Sequence, residues 1–334
     1  MPIHRRPGTE IIRAALEIVR HDGDIKSAAK TLERERGHRT TEVRLLNELA
    51  ERGAVGAAMT GSADWAGSVS EEIFSTFIDA VAERSILGRA GFIPAPINAR
   101  VGSMTTAIAA GWRGEAAAIP VREGVFGVEP LAPLSVASLV AFSRELLEFA
   151  NTDIEELLRR RLIAAAVEAI DSAFIDPTNS GVTDVKPASV LSAPTATTAT
   201  GALDTDLQAL ISDFAGDLER ATFILHPKTA AACYSILHQT IGLRGGELVG
   251  APAIVSRSCP NDVIALLDAD GIAVAMGAPE IAGSAYTDIK LDDDPENSGQ
   301  VLSGFQHEIA SVKLVQRCNW AAVRTGAAAY LDGV

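Results

Sequence analysis

Histidine, cysteine and clustered aspartate are the residues of this chain that could do chemistry, and their spacing decides whether they do. His226 stands before Pro227 and Lys228 at a strand-to-helix junction, where an imidazole could act as a base but more commonly serves the backbone. His307-Glu308 lacks the second histidine of a zinc site. Asp268-x-Asp270-Gly271 opens with calcium-loop spacing, but no Glu follows at the twelfth position. Asp292, Asp293 and Asp294 could hold a divalent ion, yet beside Pro295 and Glu296 a solvated turn is the simpler reading. Cys233, Cys259 and Cys318 are odd in number and show no CxxC spacing, the usage of small buried hydrophobes in a reducing compartment. There is no GxxxxGK[ST], no GxGxxG after a strand, no HExxH and no GxSxG. The residues assign no catalytic, cofactor or metal site.

What organises the chain is a stretch with little chemistry, residues 151–176. Thr152 precedes Glu155 by the spacing of a capping box, in which each side chain satisfies a free backbone amide. Ile154, Leu157, Leu158, Leu162, Ala165, Ala166, Ala169, Ile170, Ala173 and Phe174 then recur at helical spacing. Glu155 and Arg159 form an i,i+4 pair in the favoured order, and Pro177 ends the pattern. The spacing predicts a spine helix over residues 152–175, about 35 Å long at 1.5 Å per residue.

The whole chain has 334 residues, 47% hydrophobic but only 5% aromatic, so its core must be built from Ala, Val, Ile and Leu. Such a length suits about two domains. A net charge of −14 argues against tight nucleic-acid binding, which needs clustered Lys and Arg, and favours solubility at high concentration. Residues 1–20 are charged throughout, and no apolar run approaches the ~20 residues of a membrane helix. No signal peptide and no membrane span are expected, and the protein is expected to be cytosolic where it is made.

Along the chain, short charged helices are predicted over residues 9–21, 25–36 and 41–51, with apolar stripes at Ile11, Ile12, Leu16 and Val19, and at Val43, Leu46 and Leu49. Lys26, Lys30, Arg34 and Arg36 are interleaved with acids, which favours a solvated helical arm over a helix-turn-helix. After a Gly/Ala/Ser linker at residues 56–67, Ser70 opens a helix that is expected to run until Gly91. Residues 107–112 and 124–128 are expected to pair as a hairpin arm too poor in apolar residues to hold its own core, and residues 133–142 as a strand. Beyond the spine and a loop at 176–206, the pattern turns α/β: helix 206–218, strand 222–225, a helix from Pro227, and strands 251–256 and 263–267. Asp270-Gly271, the strongest hairpin dipeptide present, is expected to join the last of these to a strand over 272–276. Long strands are expected over 305–317 and 320–330, returning to the spine.

Several of these pieces fall in a familiar order. An arm with AAGWRGEAAAIP is followed by SRELLEFANTDIEELLRRRLIAAAVEAIDSAFIDP, KPASVLSAP, ATFILHPKTAA, LVGAPAIVSRSCPNDVIALLDADGIAVAMG and a closing ASVKLVQRCNWAAVRTGAAAYLDGV. In this order the chain resembles the tailed-phage major capsid proteins of the Hong Kong ninety-seven type, from about residue 69 to residue 334. The segment before it matches no pattern of that family.

The resemblance implies an α+β fold with a long spine-helix P domain, an α/β A domain, an extended E-loop and a helical N-terminal arm. It lays these parts on residues 1–66 as a helical N-terminal extension with a scaffold-like role, 67–97 as the N-arm and 98–128 as the E-loop lying across a neighbouring subunit. Residues 129–205 would form the P domain with its spine helix 152–175, residues 206–300 the A domain, and residues 301–334 C-terminal strands returning to the P domain. Assembly contacts would fall on Arg100, Trp112, Arg113, Glu115 and Arg122, and the spine positions on Thr152, Glu155, Leu158, Leu162, Ala166 and Ile170. No lysine lies between Lys30 and Lys186, so the E-loop lysine cross-link of the founding member is not available. The implied function is structural, with no enzyme activity and no cofactor: self-assembly through pentamers and hexamers into the icosahedral shell of a tailed phage or prophage virion, built in the host cytoplasm. Its contents would be double-stranded DNA held without sequence-specific binding, and its other partners scaffolding, portal or decoration proteins. An encapsulin-type compartment around a cargo enzyme and an α/β enzyme with an unrecognised site stand as alternatives.

Overall fold

The computed structural model describes residues 14, 16–18, 20–21, 24–36, 43, 46–47, 84–104, 126–143, 145, 152–234, 239–277, 280–284, 288–290 and 301–334. The chain divides into two compact units, one of Met1–Val81, Val136–Ala166 and Ala278–Gln316, the other of Ala82–Ser135, Val167–Gly277 and Arg317–Val334.

The second unit is built on a six-stranded sheet in the order Thr197–Thr198, Ala328–Asp332, Val263–Asp268, Ala221–Leu225, Ala251–Val255, Gly246–Leu248. Its two central strands, ATFIL and VIALLD, are buried at every position, as near-continuous apolar runs must be when both faces are covered. Helices Leu203–Asp213 and Pro227–Cys233 close the core with Leu207, Leu210, Ala230 and Cys233. The first of these helices starts a turn earlier than expected. Asp206 lies inside it and reaches back to accept from the Thr200 N–H at 3.0 Å and the Thr200 hydroxyl at 2.5 Å.

In the same unit Ile93–Ala95 pairs in parallel with Ile272–Met276, which pairs antiparallel with the far end of Ile309–Ala322. In the first unit, the near end of that strand pairs with Glu280–Ser284. The first unit also holds the predicted helix Ile25–Arg36, capped by Asp24, which accepts from the Lys26 N–H and the Ser27 hydroxyl. Ala14, Ala28, Ala29, Leu32, Val43 and Leu46 are buried together there, so Val43 and Leu46 of the predicted stripes find mates within the chain, while Ile11, Ile12, Val19 and Leu49 lie outside the described residues.

The spine is the helix Thr152–Ile175, with the bounds its spacing predicts. Its stripe is narrower than expected: Leu162, Ala166, Ile170, Ala173 and Phe174 are buried, while Ala165 and Ala169 are exposed. Alanine is too small to mark a face by itself, and Ile163 and Asp171 take the buried positions instead.

Three expectations change. Asp270-Gly271 makes no hairpin: it lies in a 3-10 turn, Ala269–Gly271, that passes the chain from one sheet to the other. Gly271 sits so close to Ala327 that an added Cβ would stand 2.5 Å from that residue's own Cβ, and the turn is spent on packing rather than on pairing. The two C-terminal strands do not break at residue 317; Ile309–Ala322 runs straight through, and Asn319 turns its amide to donate to the Ala132 carbonyl at 2.7 Å. The helix expected up to Gly91 does not run continuously through residue 85: Ser85 is extended (φ −74, ψ 148) and caps a single turn, Ile86–Arg89, and residues 70–83 lie outside the described residues.

Candidate functional site

The hairpin that the sequence singles out as an arm is rooted in the second unit. Arg100–Met104 pairs antiparallel with Phe126–Pro130, Arg100 opposite Pro130 and Gly102 opposite Val128. This register lies further down the arm than the expected pairing of 107–112 with 124–128, placing Val128 at the root. Asn98, at φ 64, turns the chain into the first strand, and its N–H donates to the Leu131 carbonyl at 2.8 Å while Leu131 N–H donates to Ala99 at 2.9 Å. Asparagine tolerates that left-handed turn better than other side chains. Leu131 is buried with Ala273 and Ala275, against Ala95, Ile97 and Val101. Among the described residues the ribbon is a two-stranded sheet of its own. Arg100, Gly102, Val128, Glu129 and Pro130 are exposed, Val128 at 61%. A two-stranded ribbon whose other face, with Arg100, Gly102, Val128 and Pro130, is exposed is marginal in water by itself, which leaves that face open to a further surface.

Of the predicted contact residues, Arg100 stands exposed at the root, while Trp112, Arg113, Glu115 and Arg122 lie outside the described residues. On the spine, Leu162, Ala166 and Ile170 are buried at 2%, 3% and 0% exposure. Thr152, Glu155 and Leu158 are helical, and their side chains lie outside the described residues, as does the capping box. The spine ends on an aromatic stack: the Phe174 ring is 5.3 Å from Trp320, edge on, and 5.4 Å from Phe92. Trp320 Nε1 donates to the Ala188 carbonyl at 2.8 Å, which ties the first C-terminal strand to the loop after the spine.

The chemically capable residues are spent on structure. His226 Nδ1 accepts from the Lys228 N–H at 3.1 Å and caps the helix Pro227–Cys233; burial, with Lys228 and Arg257 nearby, pulls its pKa below the usual histidine value, as a neutral acceptor requires. Asp268 is fully buried and accepts from the Asp217 N–H at 3.1 Å, the Asp270 N–H at 2.9 Å and Arg324 at 2.8 Å. Its carboxylate fastens three loops. Burial pushes the Cys233 thiol up to about 11 and those of Cys259 and Cys318 up to about 12, so none is a ready nucleophile. Among the described residues no group of three or more His, Cys, Asp or Glu is placed to hold a metal ion, and no helix is long and apolar enough to cross a membrane. Residues 292–294 lie outside the described residues. Asp171 and Ser85, joined across the fold, escaped the sequence reading; the one signal was a lone carboxylate directly after Ile170 on the apolar side of the spine.

With this geometry in hand, comparison with known proteins is specific. The profile described as the phage capsid family matches residues 68–288. The capsid polyprotein of Pseudomonas phage PAJU2 is 30% identical over 318 residues, covering 86% of this chain and 48% of that protein, so the chain spans about half the length of this relative. Among solved structures, one from Gordonia phage Cozz superposes with a TM-score of 0.53 at 15% identity, over 75% of this chain and 86% of that one. One from Mycobacterium phage Ogopogo gives 0.52 at 14% identity, over 75% and 92%. At such identities the structures establish a shared fold.

Proposed function

This chain belongs to the phage capsid family, and we propose that it is the major capsid protein that closes the shell of a tailed phage. The family match, joined to 30% identity with a capsid polyprotein over 86% of the chain, carries this reading. The family is structural and not enzymatic. Neither a cargo compartment nor an enzyme finds a supporting observation. The physical mechanism is symmetric self-association through pentamers and hexamers, in which one surface patch repeats at every contact and closure follows from the rotation it imposes. Residues 98–128 act as the E-loop across a neighbouring copy, with Arg100, Trp112, Arg113, Glu115 and Arg122 as contacts; the exposed ribbon at the root supports this.

The other assignments follow the same order along the chain. Residues 67–97 are the N-arm, 129–205 the P domain, 206–300 the A domain gathered at the symmetry axes, and 301–334 C-terminal strands, of which Ala328–Asp332 pairs with Val263–Asp268 of the six-stranded sheet. Residues 1–66 serve a scaffold-like role; among the described ones Ala14, Ala28, Ala29, Leu32, Val43 and Leu46 pack on one another, as an arm that packs on its own subunit would also do. Double-stranded DNA is enclosed without sequence-specific grip, as an acidic subunit of net charge −14 requires. Assembly takes place in the host cytoplasm, with scaffolding, portal or decoration proteins as further partners. Light scattering with negative-stain microscopy tests this: pentamers, hexamers or closed shells are expected at micromolar concentration. A uniform 34.9 kDa monomer across salt and concentration would contradict it.

A further inference from the structure

Ser85, extended at the start of the turn Ile86–Arg89, is bonded to Asp171 of the spine. The Ser85 hydroxyl donates to Asp171 Oδ1 at 2.5 Å, and the Ile86 N–H donates to both carboxylate oxygens at 3.0 Å. The same hydroxyl accepts from the Leu87 N–H at 3.1 Å, so one side chain caps the turn Ile86–Arg89 while bonded to the spine. At the other end of the turn, Arg89 donates to the Val255 carbonyl at 3.1 Å. Ser85, Ile86 and Asp171 are each 0% exposed. A segment only five residues long is therefore pinned at both ends, within the stretch assigned to the N-arm.

We infer that Asp171 is the positioning residue of the N-terminal arm, holding Ser85 and Ile86 as the arm's fixed root with a grip that depends on pH. What the arm does in a shell rests on the proposed function; the anchor is a property of the single subunit. The groups facing the carboxylate are Ser85, Ile86 N–H and Arg89 from the short turn, and Ser256 after the strand Ala251–Val255. On its own helix, Glu168 is exposed. Burial raises Asp171 from 3.8 to about 6, outweighing Ser85, Ile86, Arg89 and Ser256, all of which pull it down.

The sign follows from linkage. A carboxyl that binds its proton more tightly in the closed anchor than in water is held most firmly when protonated. The grip is full in acid and weakens as pH rises through about 6. Ionised, the carboxylate keeps its donors but bears the part of its desolvation they do not offset. Neutral pH is thus the loosened state of the root.

Hydrogen exchange on the full chain at pH 5 and pH 7.5, each rate divided by the intrinsic rate, tests the anchor. Opening at the Ile86 and Leu87 amides is expected to be about tenfold rarer at pH 5, from a carboxyl near 6 when closed and 3.8 when open. Amides of Ala221–Leu225 should not share that ratio. Asp171→Asn, which cannot ionise, should abolish it, while Ser85→Ala should speed exchange at Leu87 and keep it. An unchanged ratio in Asp171→Asn, no ratio in the natural chain, or one ratio shared by the whole unit would each overturn the inference. If Asp171→Asn does not fold, the natural chain and Ser85→Ala decide. For the arm, Ser85→Ala subunits that keep their circular dichroism should give shells of altered size or yield; unchanged shells with a loosened anchor would refute the positioning role. A natural chain that shows the ratio but never assembles would refute the shell reading and leave the anchor standing.

Discussion

The central strands of the six-stranded sheet and the ribbon of residues 100–104 and 126–130 are both β-structure, yet they close their accounts in opposite places. Ala221–Leu225 and Val263–Asp268 are buried at every position, with neighbours on both edges and both faces. The ribbon has one hydrogen-bonded partner per strand, and Val128 is 61% exposed. Leu134–Ser143 lies between these extremes, ten residues long with none fully buried. Burial of apolar surface is what offsets the cost of ordering a chain, so the first region is stable within the subunit, and the second is the one proposed above to be completed by a neighbour.

Substitutions can break this contrast. The largest effect is expected at Phe223, 1% exposed at the centre of the sheet, where Phe223→Ala should cost about 3–5 kcal/mol by denaturant unfolding. Assembly should then fail because the subunit fails. Asp268→Ala should cost less, about 1–3 kcal/mol, because it strands the part-buried N–H groups of Asp217 and Asp270 while the half-exposed Arg324 keeps its hydration. Val128→Asp sharpens the contrast from the other side. Unfolding of the dissociated subunit should shift by less than about 0.5 kcal/mol, since the site is exposed. Yet shell yield should collapse, measured by sedimentation of the same preparation. Equal losses of stability and yield at Val128 would mean that the ribbon is packed within its own subunit.

The same contrast explains what could be read in advance. The spine gives its bounds away through capping spacing, periodicity and Pro177, all local signals, and the buried strands through short apolar runs. Asp270-Gly271 misleads because the dipeptide reports only local turn preference, whereas here Arg324 and Ala327, far along the sequence, fix the chain's course together with the neighbouring Asp268. Ser85 is hidden for the same reason: its partner is 86 residues away, and nothing local marks the break. Arg100 could be placed on the arm, but the register that puts Val128 at the root depends on Asn98 and Leu131 closing the hairpin base.

The claim that the ribbon is finished by a neighbouring copy is tested most directly by hydrogen exchange on intact shells and on dissociated subunits of the same protein. Amides of Arg100–Met104 and Phe126–Pro130 should be strongly protected in shells and exchange rapidly in subunits, while those of Ala221–Leu225 and Val263–Asp268 stay equally protected in both. Ribbon amides that exchange at one rate in both states would contradict the account.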